Sequence, residues 1–219
     1  MGRSKVGSTK WGAMNIAIIG AGNVGGGLGR ALSAAGNQIT FAAADPGSAG
    51  TTASEIGATV ASSNAEAVRG AEVVILAVPY SALHDVIVEL AADLSGKVVI
   101  DSTNPLGETG FATDRSAAEE VQDAAPEAKV VKAFNTIFAG RHGNPTEGGE
   151  PLDAFYAGDD AEAKATVAEL AGSIGYRPID CGPLEMARSL ERMAFLNISL
   201  NSNNGWSWQS GWRLVGPLS

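Results

Sequence analysis

Gly20-Ala21-Gly22-Asn23-Val24-Gly25 is a G-x-G-x-x-G pattern placed directly after an apolar run, Asn15–Ile19, and at the head of a helical stretch, 24–35. The spacing has a physical reading. The first glycine permits a tight strand-to-helix turn, the second lets a diphosphate approach the backbone, and the third lets helix and strand pack closely. The helix then turns its unpaired N–H groups and the positive end of its dipole to the phosphates. Gly20, Gly22, Asn23, Val24 and Gly25 are therefore the candidate diphosphate-binding residues. The competing reading is a glycine-rich turn with no nucleotide. A second strand, Gln38–Ala42, about a dozen residues on, favours the binding site.

The end of that second strand is where a dinucleotide fold separates NAD from NADP. An acidic side chain there bonds the ribose 2′-hydroxyl, and an arginine holds a 2′-phosphate. The sequence reads Phe41-Ala42-Ala43-Ala44-Asp45-Pro46, with no lysine or arginine between Arg30 and Arg69. Asp45 can take the ribose or cap the turn before Pro46, and the two readings stand level. The later strand ends should open on the same crevice, because ligands of open α/β sheets sit outside the carboxyl ends of the strands. They read Val78-Pro79-Tyr80, Ser102-Thr103-Asn104-Pro105 and Asn135-Thr136-Ile137. Small polar and aromatic groups of this kind suit the amide and face of a nicotinamide. Ordinary turn chemistry is the alternative for each residue taken singly.

The elements that must hold these ends alternate. Strands are expected at 15–19, 38–42, 72–78, 97–101, 128–134, 154–157 and 177–180. Helices are expected at 24–35, 64–69, 81–94, 116–123 and 161–174, and as a last helix from Leu184 to Ile198, stopped by Asn203-Asn204-Gly205. Leu83, Val86, Ile87 and Leu90 show the i, i+3, i+4, i+7 stripe of a helix on a core. Strands alternating with helices imply parallel pairing with helices on both faces. The fold class is thus α/β, a Rossmann-type doubly wound, mainly parallel sheet with a small C-terminal helical extension. Residues 1–13 read as a basic flexible extension or tag, 14–180 as the dinucleotide-binding domain, and 181–219 as a helix with a tryptophan-rich tail. The stretch 140–151 is expected to be a loop, of the kind that often forms a lid or binding loop.

Composition limits the alternatives. The 219 residues carry 15 Lys+Arg against 24 Asp+Glu, a formal charge of −9, so a basic nucleic-acid footprint is not expected. Apolar residues make up 45% and charged ones 18%, a globular balance. No apolar run reaches a membrane span of about 18 residues, and no secretory signal is visible. Cys181 is the single cysteine, which fits a reducing compartment, and a cytoplasmic location is expected.

With these residues in view the chain resembles the NADPH-dependent reductases of the deazaflavin coenzyme F420, and the similar Rossmann unit of the six-transmembrane ferric reductases. The resemblance rests on IAIIGAGNVGGGLGRAL, VVILAVPY, the DSTNPLG loop, TDRSAAEEV, KVVKAFNTIFA, FYAGDDAEAK and DCGPLEMAR, in that order. It implies a dinucleotide-binding sheet, usually dimeric, that uses NADP(H) with F420 as co-substrate. It further implies that Gly20–Gly25 bind the diphosphate, that Val78, Pro79, Thr103, Asn104 and Pro105 lie near the nicotinamide, and that Asn135, Thr136 and Ile137 face the second substrate. One departure matters. Ala44 stands where the family usually has an arginine that selects NADP, so NAD(H) stays open as a cofactor.

Three functions remain. Hydride transfer between a nicotinamide and a deazaflavin, flavin-like or small unsaturated acceptor needs two stacked rings and no protein acid or base. Reduction of an imine or ketone needs a proton donor, for which Tyr80, Lys132 and His142 are candidates. Tyr80 is the best placed of them, though stacking or packing is its commoner role. A non-catalytic dinucleotide sensor or interaction module is the last alternative. His142, in the glycine-rich stretch, is expected to be a solvated surface histidine, and His84 structural. Asp159-Asp160 and Glu119-Glu120 are expected to be solvated charge, with no metal site, and Cys181 an inert thiol. Trp206, Trp208 and Trp212 either anchor the tail at an interface or wall a substrate pocket, with packing preferred.

Overall fold

The computed structural model describes residues 12–44, 46–107, 110–111 and 114–216; Asp45 and most of the expected N-terminal extension lie outside them. The first strand, Asn15–Ile19 (β1), explains the layering. Ile16 and Ile18 join one apolar cluster with Leu28 and Leu32 of the helix Asn23–Ala34 (α1). Ala17 and Ile19, on the other side of the pleat, join a second cluster with Val74 and Leu76. A strand apolar on both faces must be covered on both faces, so the sheet needs helices above and below.

The chain then runs through Gln38–Ala42 (β2), Pro46–Ile56 (α2), Thr59–Val60 (β3), Asn64–Arg69 (α3), Val73–Leu76 (β4), Tyr80–Leu90 (α4) and Val98–Asp101 (β5). A short hairpin, Leu106–Gly107 (β6) with Gly110–Phe111 (β7), precedes Ala117–Ala124 (α5) and Lys129–Ala133 (β8). After a 3-10 turn at Ala139–Arg141 comes a second hairpin, Thr146–Glu147 (β9) with Glu150–Pro151 (β10). Asp153–Gly158 (β11), Ala161–Ser173 (α6), Arg177–Asp180 (β12) and Ala187–Asn204 (α7) complete the chain.

The main sheet has eight strands in the order β3-β2-β1-β4-β5-β8-β11-β12. Its strand order reverses between β1 and β4, and that switch point opens a crevice at the carboxyl ends. Local chemistry sets the helix limits. Ser116 and Glu119 form a reciprocal capping box at α5, Asp160 caps α6 through Ala163 N–H, and Gly205 ends α7 at φ +64°.

The fold is the doubly wound sheet expected, with three local departures. β11 runs antiparallel to β8, because a turn and a hairpin join them rather than a crossover helix. The helix α2 was not among the expected elements, its start at Pro46-Gly47 reading as punctuation after β2; burial of Ala49 and Ala53 in the core holds it. The stretch 140–151 is not a plain loop. Its Arg141 is buried, with Nη2 donating to Thr146 O at 2.8 Å, and Tyr176 Oη donates to Arg141 O at 2.7 Å.

Candidate functional site

The glycine motif makes a bare helix terminus. Gly20 has φ +105°, and a Cβ there would lie 2.4 Å from Ala77 O. A Cβ on Gly25 would lie 1.9 Å from Gly20 O, so this glycine closes the turn itself. Close helix-to-sheet packing involves Gly25, whose Cβ would also lie 3.1 Å from Ile18 Cγ2, and Gly29, where a Cβ would sit 2.4 Å from Phe41 Cζ. Gly22 differs from all three. Its φ of −70° is ordinary, and a Cβ there would meet nothing within 4 Å. As the N-cap of α1 it supplies no side-chain acceptor, and the first turn holds no acidic residue. The first-turn N–H groups are thus directed at open space with the helix dipole behind them, an arrangement that could hold a diphosphate.

Three cavities meet around this terminus. The first, about 710 Å³, runs from Gly20–Val24 along Ala42–Ala44 to Ser63 and Asn64, and is closed by Val78, Pro79 and Glu89. No lysine or arginine is among the described residues lining it. The second, about 750 Å³, lies between Gly22, Asn23, Arg30, Thr51, Thr52 and Gly140. The third is a slot of about 280 Å³, bounded by Asn23 and Val24, by Ser102 and Asn104, by the segment Phe134–Ala139, and by Ala194, Asn197 and Ile198 of α7.

No titratable side chain is among the described residues of the slot. Phe134 is buried at φ +64°, a left-handed conformation that costs a non-glycine residue about 1–3 kcal/mol. It turns the chain out of β8, so that Asn135, Thr136 and Ile137 follow along the slot. Asn135 Nδ2 donates to Asn104 Oδ1 at 3.0 Å, and Asn104 Nδ2 donates to Asn135 O at 3.1 Å, which ties two strand ends together. Asn135 Oδ1 and Thr136 Oγ1 are buried with no hydrogen-bond partner among the described residues. Buried polar atoms are rarely left unpaired, so two orphans in one slot fit a ligand that bonds them.

The expected residues distribute unevenly. Gly20, Gly22, Asn23, Val24, Ala44, Val78 and Pro79 line the first cavity, while Asn104, Asn135, Thr136 and Ile137 line the slot. Thr103 and Pro105 are buried, Thr103 with its hydroxyl on Asp101 Oδ1 at 2.7 Å. Tyr80 opens α4 and its hydroxyl donates to Glu120 at 2.9 Å, so it is bonded outside all three cavities. Sequence reasoning did not single out Ser63, Asn64, Ala194 and Asn197, nor Phe134 and Phe138 within KVVKAFNTIFA, as site residues.

Several other expectations are corrected. His142 is not on the surface: it is 1% exposed, edge-on to Phe134 and Tyr176, with both ring nitrogens unpartnered. Burial lowers its pKa to about 4, so it is neutral at pH 7. Lys132 is 0% exposed and held by two carboxylates, out of reach of any slot ligand. Glu119 is buried rather than solvated; Arg188, the first of its partners, holds its carboxyl down at about 2. His84 is exposed on α4. Among the described residues no cluster of His, Cys, Asp and Glu is arranged to hold a metal ion. Burial raises the Cys181 thiol, as an inert thiol requires. Trp212 packs beside Phe155 and Leu190, whereas Trp208 stands edge-on to Phe138 at 5.5 Å, just outside the slot.

Comparison with known proteins agrees with this geometry. A family model described as NADP oxidoreductase, coenzyme F420-dependent, matches residues 15–105. The F420-dependent NADP reductase of Methanocaldococcus jannaschii is 37% identical over 149 residues, 63% of this chain and 66% of that one. Its counterpart in Methanothermobacter marburgensis is 35% identical over 215 residues, 87% of this chain and 94% of that one. A crystal structure from Arthrobacter sp., assigned as an F420-dependent NADP reductase, superposes with a TM-score of 0.83 at 30% identity, covering 93% of this chain and 100% of that one. With relatives of 30–35% identity matched over nearly their whole length, the chain belongs to the coenzyme F420-dependent NADP oxidoreductase family.

Proposed function

We propose that the chain transfers a hydride between NADP(H) and the deazaflavin coenzyme F420. The observation that carries this reading is a bare α1 terminus opening at once onto a long cleft and a narrow uncharged slot. In this reading the amides at Gly22–Gly25 hold the diphosphate, and the adenosine half lies along Ala42–Ala44, Ser63 and Asn64. Val78, Pro79 and Asn104 flank the nicotinamide, with Thr103 and Pro105 supporting Asn104 from behind. Asn135, Thr136 and Ile137 face the deazaflavin.

The nicotinamide, when bound, supplies the hydride at its C4. The chain's own work is positional: apolar Val24, Phe134, Ile137 and Ile198 exclude water, while Asn135 and Thr136 fix the orientation of the ring in the slot. The proton that accompanies ring reduction exchanges with solvent, so no side chain must titrate. An imine or ketone reductase needs a donor in the slot. Its three candidates are engaged elsewhere, Tyr80 with Glu120, Lys132 in an ion pair and His142 in the core.

Ala44 supplies no charge for a 2′-phosphate, and Arg30 lies in the second cavity with Glu55 2.7 Å away. NADPH should therefore be preferred over NADH only modestly. Leu196 and Leu200 of α7, with Trp206 beyond it, expose apolar surface that suits pairing into a homodimer. A small-molecule enzyme of the cytoplasm, with no nucleic-acid partner, is the setting we propose. No helix among the described residues is long and apolar enough to cross a membrane. The test is to mix protein, NADPH and F420 and follow the nicotinamide absorbance. Oxidation of NADPH is expected; binding without oxidation by F420, flavin or ferric acceptors would favour a sensor module.

A further inference from the structure

Beneath the slot lies a group of charges that hydride transfer does not use. Lys132 on β8 is 0% exposed, as is Asp101 on β5, and Glu191 on α7 is 2% exposed. The ammonium has three acceptors: Asp101 Oδ2 at 2.7 Å, Thr103 O at 2.6 Å and Glu191 Oε1 at 2.6 Å. Each carboxylate is bonded onward. Asp101 Oδ1 accepts from Thr103 N–H at 2.9 Å and its hydroxyl at 2.7 Å, and Glu191 Oε1 accepts from Ala117 N–H of α5 at 2.9 Å.

These bonds reach both walls of the slot. Thr103 sits between Ser102 and Asn104, which line one side. Glu191 shares a helix face with Ala194 and Ile198, at i, i+3 and i+7, which line the other. Lys132 lies two residues before Phe134, the residue that turns into the slot. We propose that Lys132, clamped between Asp101 and Glu191, is a positioning residue that sets the spacing of the slot's two walls for hydride transfer. The proposal rests on the reading of the slot given above.

The charge count gives the clamp a second property. Two carboxylates and one ammonium leave an excess negative charge away from water, which a proton removes. Burial raises Glu191 to about 7, against the opposing pull of Lys132, and Asp101 adds to the rise. The charged groups acting on Glu191 are these two, with the Ala117 N–H of α5 lowering it. Ionisation of Glu191 leaves an uncompensated negative charge out of water, a burial cost that loosens the clamp, so turnover should fall as pH rises through neutrality.

Lys132→Met and Glu191→Ala should lower kcat with NADPH and F420 by about tenfold or more, with KM for NADPH changed less than about threefold. Glu191→Gln keeps the acceptor for Lys132 and Ala117, so kcat should stay within about threefold while the inflection near neutral pH disappears. Hydrogen exchange in the chain alone should speed up at Ser102–Asn104 and along 194–201 in Lys132→Met, and not at Asn23–Arg30. That readout needs no turnover, so it separates failure of the clamp from failure of the functional reading. Unchanged kcat, an equal rise in KM, or uniform exchange in Lys132→Met would overturn the proposal. If that variant does not fold, an unaltered pH inflection in Glu191→Gln would overturn it.

Discussion

The α1 terminus is made by six neighbouring residues, Gly20–Gly25, whereas the slot beside it is assembled from the ends of β5 and β8 and the middle of α7. The terminus works through backbone: glycines remove side chains, and N–H groups are left over by helix geometry. The slot works through side chains whose positions depend on tertiary bonds, the Asn104–Asn135 pair above it and the Lys132 clamp below. Anion binding needs only a local motif, while a shaped hydride slot needs distant elements held at fixed separation.

That contrast can be broken most sharply at Gly22. Its φ suits any residue and a Cβ meets open space, so Gly22→Val should fold with near-normal thermal stability. The new side chain would occupy the diphosphate position, and NADPH affinity should drop about a hundredfold or more, equivalent to about 3 kcal/mol. Calorimetric titration checks this. A variant that binds NADPH normally would show that the diphosphate lies elsewhere.

The seam between the two regions is His142, behind Gly27 of α1 and Phe134 of the slot. Its folded pKa, about 4, lies below the ordinary imidazole value of 6.5, so the unfolded chain binds a proton first as pH falls. Its stabilising effect is complete above pH 6.5 and is lost between 6.5 and 4, at most about 3 kcal/mol. Glu191, with a raised pKa, acts in the opposite sense, lowering stability as pH rises from 4.5 towards 7. Denaturant melts of His142→Leu should show less acid sensitivity than the parent; equal sensitivity would mean that His142 is already solvated.

Ala44→Arg sharpens the first region. A cation at the cleft's second-strand end should raise the NADPH over NADH preference about tenfold, the worth of one charge-assisted bond. Ratios of kcat/KM for the two cofactors measure it, and no change would place the ribose away from Ala44. The smallest effect belongs to the slot. Thr136→Val removes a hydroxyl that has no protein partner, so stability should hold while KM for F420 rises about threefold to tenfold. A loss of stability with KM unchanged would make the hydroxyl structural.

The same contrast explains what could be read in the chain. β1, the glycine turn and α1 were legible because their pattern is local, as was the stop at Gly205, whereas Asp160, expected as solvated charge, caps α6. β11 was seen as a strand but not as antiparallel, since its direction depends on the hairpin route from β8. Lys132 lies in the apolar stretch KVVKAF, a charge that had to find partners, yet nothing nearby names Asp101 or Glu191. His142 was misjudged because glycine neighbours suggest solvent, while Phe134 and Tyr176 bury it from outside its own segment.

Isotope transfer tests whether the hydride passes directly between the two rings in the slot, whose described lining holds no titratable side chain. With NADPH deuterated at the transferring C4 position in ordinary water, the label should appear in reduced F420 and not in solvent. Label lost to water, or reduced F420 carrying only solvent hydrogen, would contradict direct transfer.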